Sequence, residues 1–171
     1  MRARTLPRMV RLERLRAGHA PALLAFEREN REWFARSVED RGDAYFAEFD
    51  ARHTALPAEQ EAGTCHFHVV VGEDGEPVGR VNLVDVTGGS AELGYRVAER
   101  AAGRGVATAA VREVCRPAGG PYGLSELWAV TTLDNPASRA VLERTGFVPG
   151  GDARPGGRPG VRYRRHLDGP G

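Results

Sequence analysis

Residues 91–111 read AELGYRVAERAAGRGVATAAV, a strand pattern that passes through two glycines into a helix. AELGYRV (91–97) alternates as a β-strand does, and the small residues that follow predict a helix over 104–116. Gly103 and Gly105 stand at its entrance. Glycine weakens a helix interior, but at a helix start it leaves backbone N–H groups uncovered. Four of them lack intrahelical partners there, and the helix dipole adds about half a positive charge. The amides of Gly103, Arg104, Gly105, Val106 and Ala107 can therefore curl around a pyrophosphate, with Arg100 or Arg104 adding a charge-assisted contact. A ligand-free glycine connector has the same composition and stays open as the alternative.

Other phosphate loops fit poorly. A dinucleotide fingerprint needs a third glycine where this chain has Thr108, and AERAA separates the strand from the glycines. A Walker A loop needs a lysine, and all 24 basic residues here are arginine. RAAGRG (100–105) instead fits Arg/Gln-x-x-Gly-x-Gly/Ala after a strand.

The remaining pattern is that of one mixed α/β domain over 1–171. MVRLER (9–14) reads as a first strand. Helical patterns follow from Pro21 to Phe34 and over 37–53, with 54–63 left as a helix end plus loop. CHFHVVV (65–71) and EPVGRVNLVDV (76–86) flank GEDG as a hairpin. ELWAVTT (126–132) is a strand, and 135–145 is a helix with Asn135 as N-cap, Pro136 at its first position and Gly146 closing it. Residues 150–160, rich in Gly and Pro, read as a loop, and VRYRRHL (161–167) as a last strand at the sheet edge.

AELGYRV-AERAAGRGVATAAV together with ELWAVTTLDNPASRAVLERTGF resembles the GNAT superfamily of acetyl-CoA-dependent N-acetyltransferases. Within it, the chain is similar to the Rim-type branch of ribosomal-protein N-terminal acetyltransferases. The likeness covers 8–149 and is motif-specific over 76–149. It implies a mostly antiparallel sheet of about seven strands, splayed at 91–97 and 126–132, flanked by about four helices. Residues 76–149 would hold acetyl-CoA as co-substrate, and helices of about 18–60 would face the acceptor. Backbone groups of Tyr95 and Val97 would pair with the pantetheine amides, and Asn135 would contact the same arm. The implied reaction is direct attack of an amine on the thioester. Glu92 is the candidate base and Ser138 the candidate partner of the leaving thiolate. A surface glutamate and a first-turn serine bonded to local backbone are the plainer readings of those two. Two departures stand out. Many relatives carry a tyrosine where this chain has Leu142, and some Rim-type relatives a glutamate after GF, where only Asp152 is acidic. A catalytically silent CoA-binding module, and use of another acyl-CoA, therefore stay in play.

A net charge of +1 argues against nucleic acid as a partner, and no apolar run is long enough to span a membrane. Two cysteines and a basic N-terminus without an apolar core point to the cytoplasm. Cys65, His66 and His68 cannot converge on a metal from one strand. Residues 26–62 carry ten acidic residues against five arginines, a solvated face or a rim that attracts a cationic acceptor. Pairing of an edge strand such as 161–167 would suit a homodimer.

Overall fold

The structure, a computed structural model, describes residues 10–168; Met9 of the expected first strand lies outside them. Its strands are β1 (Arg11–Arg14), β2 (His66–Val71), β3 (Pro77–Thr87), β4 (Ser90–Val97), β5 (Glu126–Thr132), β6 (Val148–Ala153) and β7 (Gly160–His166). They form a single sheet in the order β1-β2-β3-β4-β5-β7-β6, antiparallel throughout except for β4 and β5. The helices are α1 (Ala20–Glu29), α2 (Arg31–Ala35), α3 (Asp43–Ala47), α4 (Phe49–Glu61), α5 (Val106–Gly119) and α6 (Pro136–Arg144).

The sheet has a core on each face. Leu23 and Phe26 of α1, Phe34 of α2 and Phe49 of α4 pack on Phe67, Val69 and Val71. On the opposite face Ala110, Val111, Val114 and Ala118, one stripe of α5, meet Val70, Val81, Leu83, Leu93 and Leu127. β2 is buried along its whole length because helices cover both its sides.

Six α-helices among the described residues replace the expected four, because both N-terminal helical stretches are interrupted. The first breaks at Asn30, whose side chain donates to the Phe26 carbonyl and accepts from the Glu99 amide, tying the break to the loop after β4. The second begins at Asp43 rather than 37, after Gly42 takes a left-handed conformation with φ 86°. α4 then runs through Pro57 to Glu61. Tertiary bonds outweigh the lost helical one: Gln60 bonds the Leu15 carbonyl and the Phe67 amide, and His53 the Arg16 carbonyl. Similarly, α5 continues past 116 with Pro117 in its last turn.

Two expectations about the C-terminal part are corrected. Of the expected loop over 150–160, residues 150–153 belong instead to β6, since β7 offers them a partner; an extra residue between Pro149 and Asp152 makes a bulge that absorbs Gly150 and Gly151. In consequence β7 is no edge: it lies between β5 and β6, and β1 and β6 are the outer strands. The pairing of 161–167 with a second copy loses its basis. No helix among the described residues is long and apolar enough to cross a membrane.

Candidate active site at the diverging strands

β4 and β5 are paired only at Ser90–Glu126, Ala91–Leu127 and Glu92–Trp128. Beyond that point the two parallel strands separate, although each continues for several residues. The register with β3 fixes what β4 shows to the gap. The Ala98 amide donates to the Val78 carbonyl, so the alternate residues Arg96, Gly94 and Glu92 exchange their peptide bonds with β3. Leu93, Tyr95 and Val97 turn theirs toward the opening. The Val97 carbonyl meets the Trp33 indole N–H of α2 at 3.0 Å.

At the open end lies the glycine loop. Gly103 and Gly105 have φ of 71° and 78°, and a Cβ at either would meet nothing within 4 Å. Conformation, not space, calls for glycine here. Gly105 caps α5, whose first helical bond runs from the Ala109 amide to the Gly105 carbonyl. The amides of Val106, Ala107 and Thr108 thus have no intrahelical acceptor. Arg104 is exposed beside them. Arg100 is directed elsewhere: its guanidinium bonds the Pro77 carbonyl at 3.2 Å and pairs with Asp74 at 3.5 Å. The expected contact from Arg100 to a diphosphate therefore competes with the β2–β3 turn.

α6 starts on the far side of the gap. Asn135 Oδ1 accepts from the Ser138 amide at 3.1 Å, the N-cap its sequence context predicts. The Ser138 hydroxyl lies 2.9 Å from the Tyr95 hydroxyl. Leu142, one turn on, is 1% exposed and packs in the core.

Glu92 occupies the fork where β4 and β5 part. It shares a face of β4 with Gly94 and Arg96, toward α1, whereas Tyr95 reaches α6 on the other face. Burial first, then repulsion from Asp85, raises the Glu92 pKa above its usual 4.5, against an opposing pull from Arg162. Asp85 owes this closeness to an irregular β3–β4 register after the Val84–Glu92 pair, where it takes φ 53°.

Sequence reading missed a buried charge cluster on the α1 side. Glu27, 1% exposed, takes Arg80 and Arg96 at 3.1 Å each and Arg41 at 3.6 Å. Nothing local marks Glu27 among the ten acidic residues of 26–62; only Leu23, one helical turn before it, hints at an inward face. Elsewhere His68 bonds the Val81 carbonyl and the Tyr122 hydroxyl, and desolvation lowers its pKa from 6.5 to about 4. His66 stacks flat on Tyr122. Among the described residues no group of three acidic, His or Cys side chains could hold a metal.

A mixed sheet forked between two parallel strands, with a glycine-capped helix at the mouth of the fork, is the frame of an acetyltransferase, and residues 9–148 match the acetyltransferase (GNAT) domain family. The chain belongs to that family. It is 36% identical over 85 residues to YdaF of Bacillus subtilis (strain 168), a candidate ribosomal N-acetyltransferase; the match covers 48% of this chain and 46% of YdaF, just under half of either. The ribosomal-protein-S5-alanine acetyltransferase of Vibrio fischeri superposes with a TM-score of 0.87 at 20% identity, covering 94% of both chains. RimJ of Mycobacterium smegmatis, solved with a CoA disulfide, gives 0.82 at 25% identity over 92% of this chain and 81% of its own.

Proposed function

We propose that the chain moves an acetyl group from acetyl-CoA to a primary amine, either a protein α-amino group or a small-molecule amine, by direct attack in a ternary complex. The observation that carries this reading is the early end of β4–β5 pairing, which leaves the peptide groups of Tyr95 and the amide of Val97 facing an open gap. An extended pantetheine arm fits such a gap as an added strand. The first-turn amides of α5, with Gly103 and Gly105 holding the loop clear of side chains, suit the diphosphate. Asn135 lies at the start of the helix that borders the same gap.

The chemistry divides across β4. On the α1 face, Glu92 takes the proton of the incoming ammonium, directly or through water; its raised pKa brings it nearer the working pH of a general base. A backbone N–H at the end of β4 meets the oxygen that gains charge. On the α6 face, the Ser138 hydroxyl donates to the sulfur as the thiolate departs. Substrate bound through the gap touches both.

Incubation of the purified chain with acetyl-CoA and a panel of peptides and small amines, followed by thiol release, tests the reading. Turnover with at least one amine supports it. Calorimetric heat with CoA but no thiol release across the panel would identify a binding module instead, the reading to which Leu142 and the single Asp152 lend support. Gly105→Val is expected to abolish CoA binding before any other effect. A β-branched residue strains the left-handed cap by about 1–2 kcal/mol and so displaces the loop amides. Comparison of acetyl-CoA with longer acyl-CoA donors then sets the acyl preference.

A further inference from the structure

The Tyr95 hydroxyl makes a contact that packing alone does not require. It lies 2.9 Å from Ser138 Oγ and 3.3 Å from the Ser138 carbonyl, joining β4 to the first turn of α6 across 43 positions of sequence. The cap of α6 is already complete without it, because Asn135 accepts the Ser138 amide. A phenylalanine ring would fill the same space. The hydroxyl is therefore spent on one residue, and that residue is the one placed at the departing sulfur.

We propose that Tyr95 is a positioning residue: its hydroxyl donates to Ser138 Oγ, so that the serine's own proton points into the gap at the sulfur. The inference rests on the acyl-transfer reading above. Its logic is one of proton supply. A serine hydroxyl has one proton and two lone pairs. If it donates to Tyr95, nothing remains for the thiolate; if it accepts from Tyr95, its proton is free to face the gap. A phenol is the stronger donor and an alkyl hydroxyl the stronger acceptor, so the single Tyr95 proton goes to Oγ at 2.9 Å in preference to the Ser138 carbonyl at 3.3 Å. Burial, which raises the Tyr95 pKa above its usual 10.0, keeps that proton on the phenol. No proton leaves Tyr95 in the reaction. The nitrogen–carbon bond forms, the carbon–sulfur bond breaks with its electron pair going to sulfur, and the proton lost by the amine ends on the thiol. Tyr95 and Ser138 steady that sulfur meanwhile.

The test is a double-mutant cycle on the full chain with acetyl-CoA and the best amine of the panel. Tyr95→Phe is expected to lower kcat about fivefold, the worth of one hydrogen bond, with the KM for acetyl-CoA unchanged. Because Tyr95 acts through the serine, the Tyr95→Phe/Ser138→Ala double variant is expected to match Ser138→Ala alone. Losses that multiply, an unchanged kcat in Tyr95→Phe, or a loss lying wholly in KM overturn the positioning role and leave acetyl transfer standing. A wild-type chain that binds CoA yet releases no thiol with any amine overturns the acyl-transfer reading, and the positioning role falls with it. Thermal melting of each variant with CoA shows whether a change reflects the site or the fold, since Phe retains the ring and its packing.

Discussion

Glu92 is held where a carboxylate is costly to charge, and this makes its two contributions separable. Its pKa is raised above 4.5 by burial and by Asp85, so the folded chain favours the protonated form. The stability it lends is present below the unfolded value and lost as pH rises through the folded one. A base, by contrast, is competent only above that folded value. Glu92→Gln is accordingly expected to leave melting at neutral pH unchanged or higher, and to lower amine turnover by about 10²-fold. The wild-type rate should fall on acidification with a midpoint above 4.5, a limb that Glu92→Gln lacks. A full-rate Glu92→Gln would remove the residue from the mechanism. Strand alternation pointed to Glu92, helix capping to Asn135 and the family resemblance to Ser138; the Asn135 cap is present, and the catalytic roles are the ones proposed above. Residue-scale reading of the sequence did not find the partner of Ser138, because the Tyr95 contact joins two elements whose separation the chain does not encode locally.

At the scale of elements, α1 is fastened to the sheet by charge as well as by Leu23 and Phe26. Glu27 meets arginines from β3, β4 and the turn before α3. Removing one partner of such a buried cluster strands the others without water. Glu27→Ala is thus expected to cost about 3–5 kcal/mol in chemical denaturation, a loss that a surface glutamate would not show. The elements most legible in the sequence were those with strong periodicity or caps: the 65–86 hairpin, β4, β5 and α6 all lie close to their expected bounds. The helix breaks at Asn30 and Gly42 were hidden, since the first depends on the Glu99 amide 69 residues away and the second on a turn conformation. β6 was hidden for a different reason. VPGGDA has poor strand propensity, and pairing with β7 overrides it.

For the whole molecule, the fork joins two halves: α1 to α4 on one face, and the glycine loop with α5 and α6 on the other. The general plan was legible because the loop and the capped helix are short motifs with physical causes. What ties the halves together was not. Trp33 is the bridge, for its indole holds the Val97 carbonyl at the mouth of the fork. A donor amide arriving there finds that acceptor already engaged, which leaves more of the affinity to the loop. S-acetyl-pantetheine, lacking the diphosphate and nucleoside, is expected to show a KM at least about 10²-fold above acetyl-CoA, the worth of one or two charge-assisted bonds. Trp33→Phe should recover part of that deficit, and equal KM values would refute it. With one rung of the shaft already taken by Trp33, the handle is expected to supply the larger part of the grip on the donor.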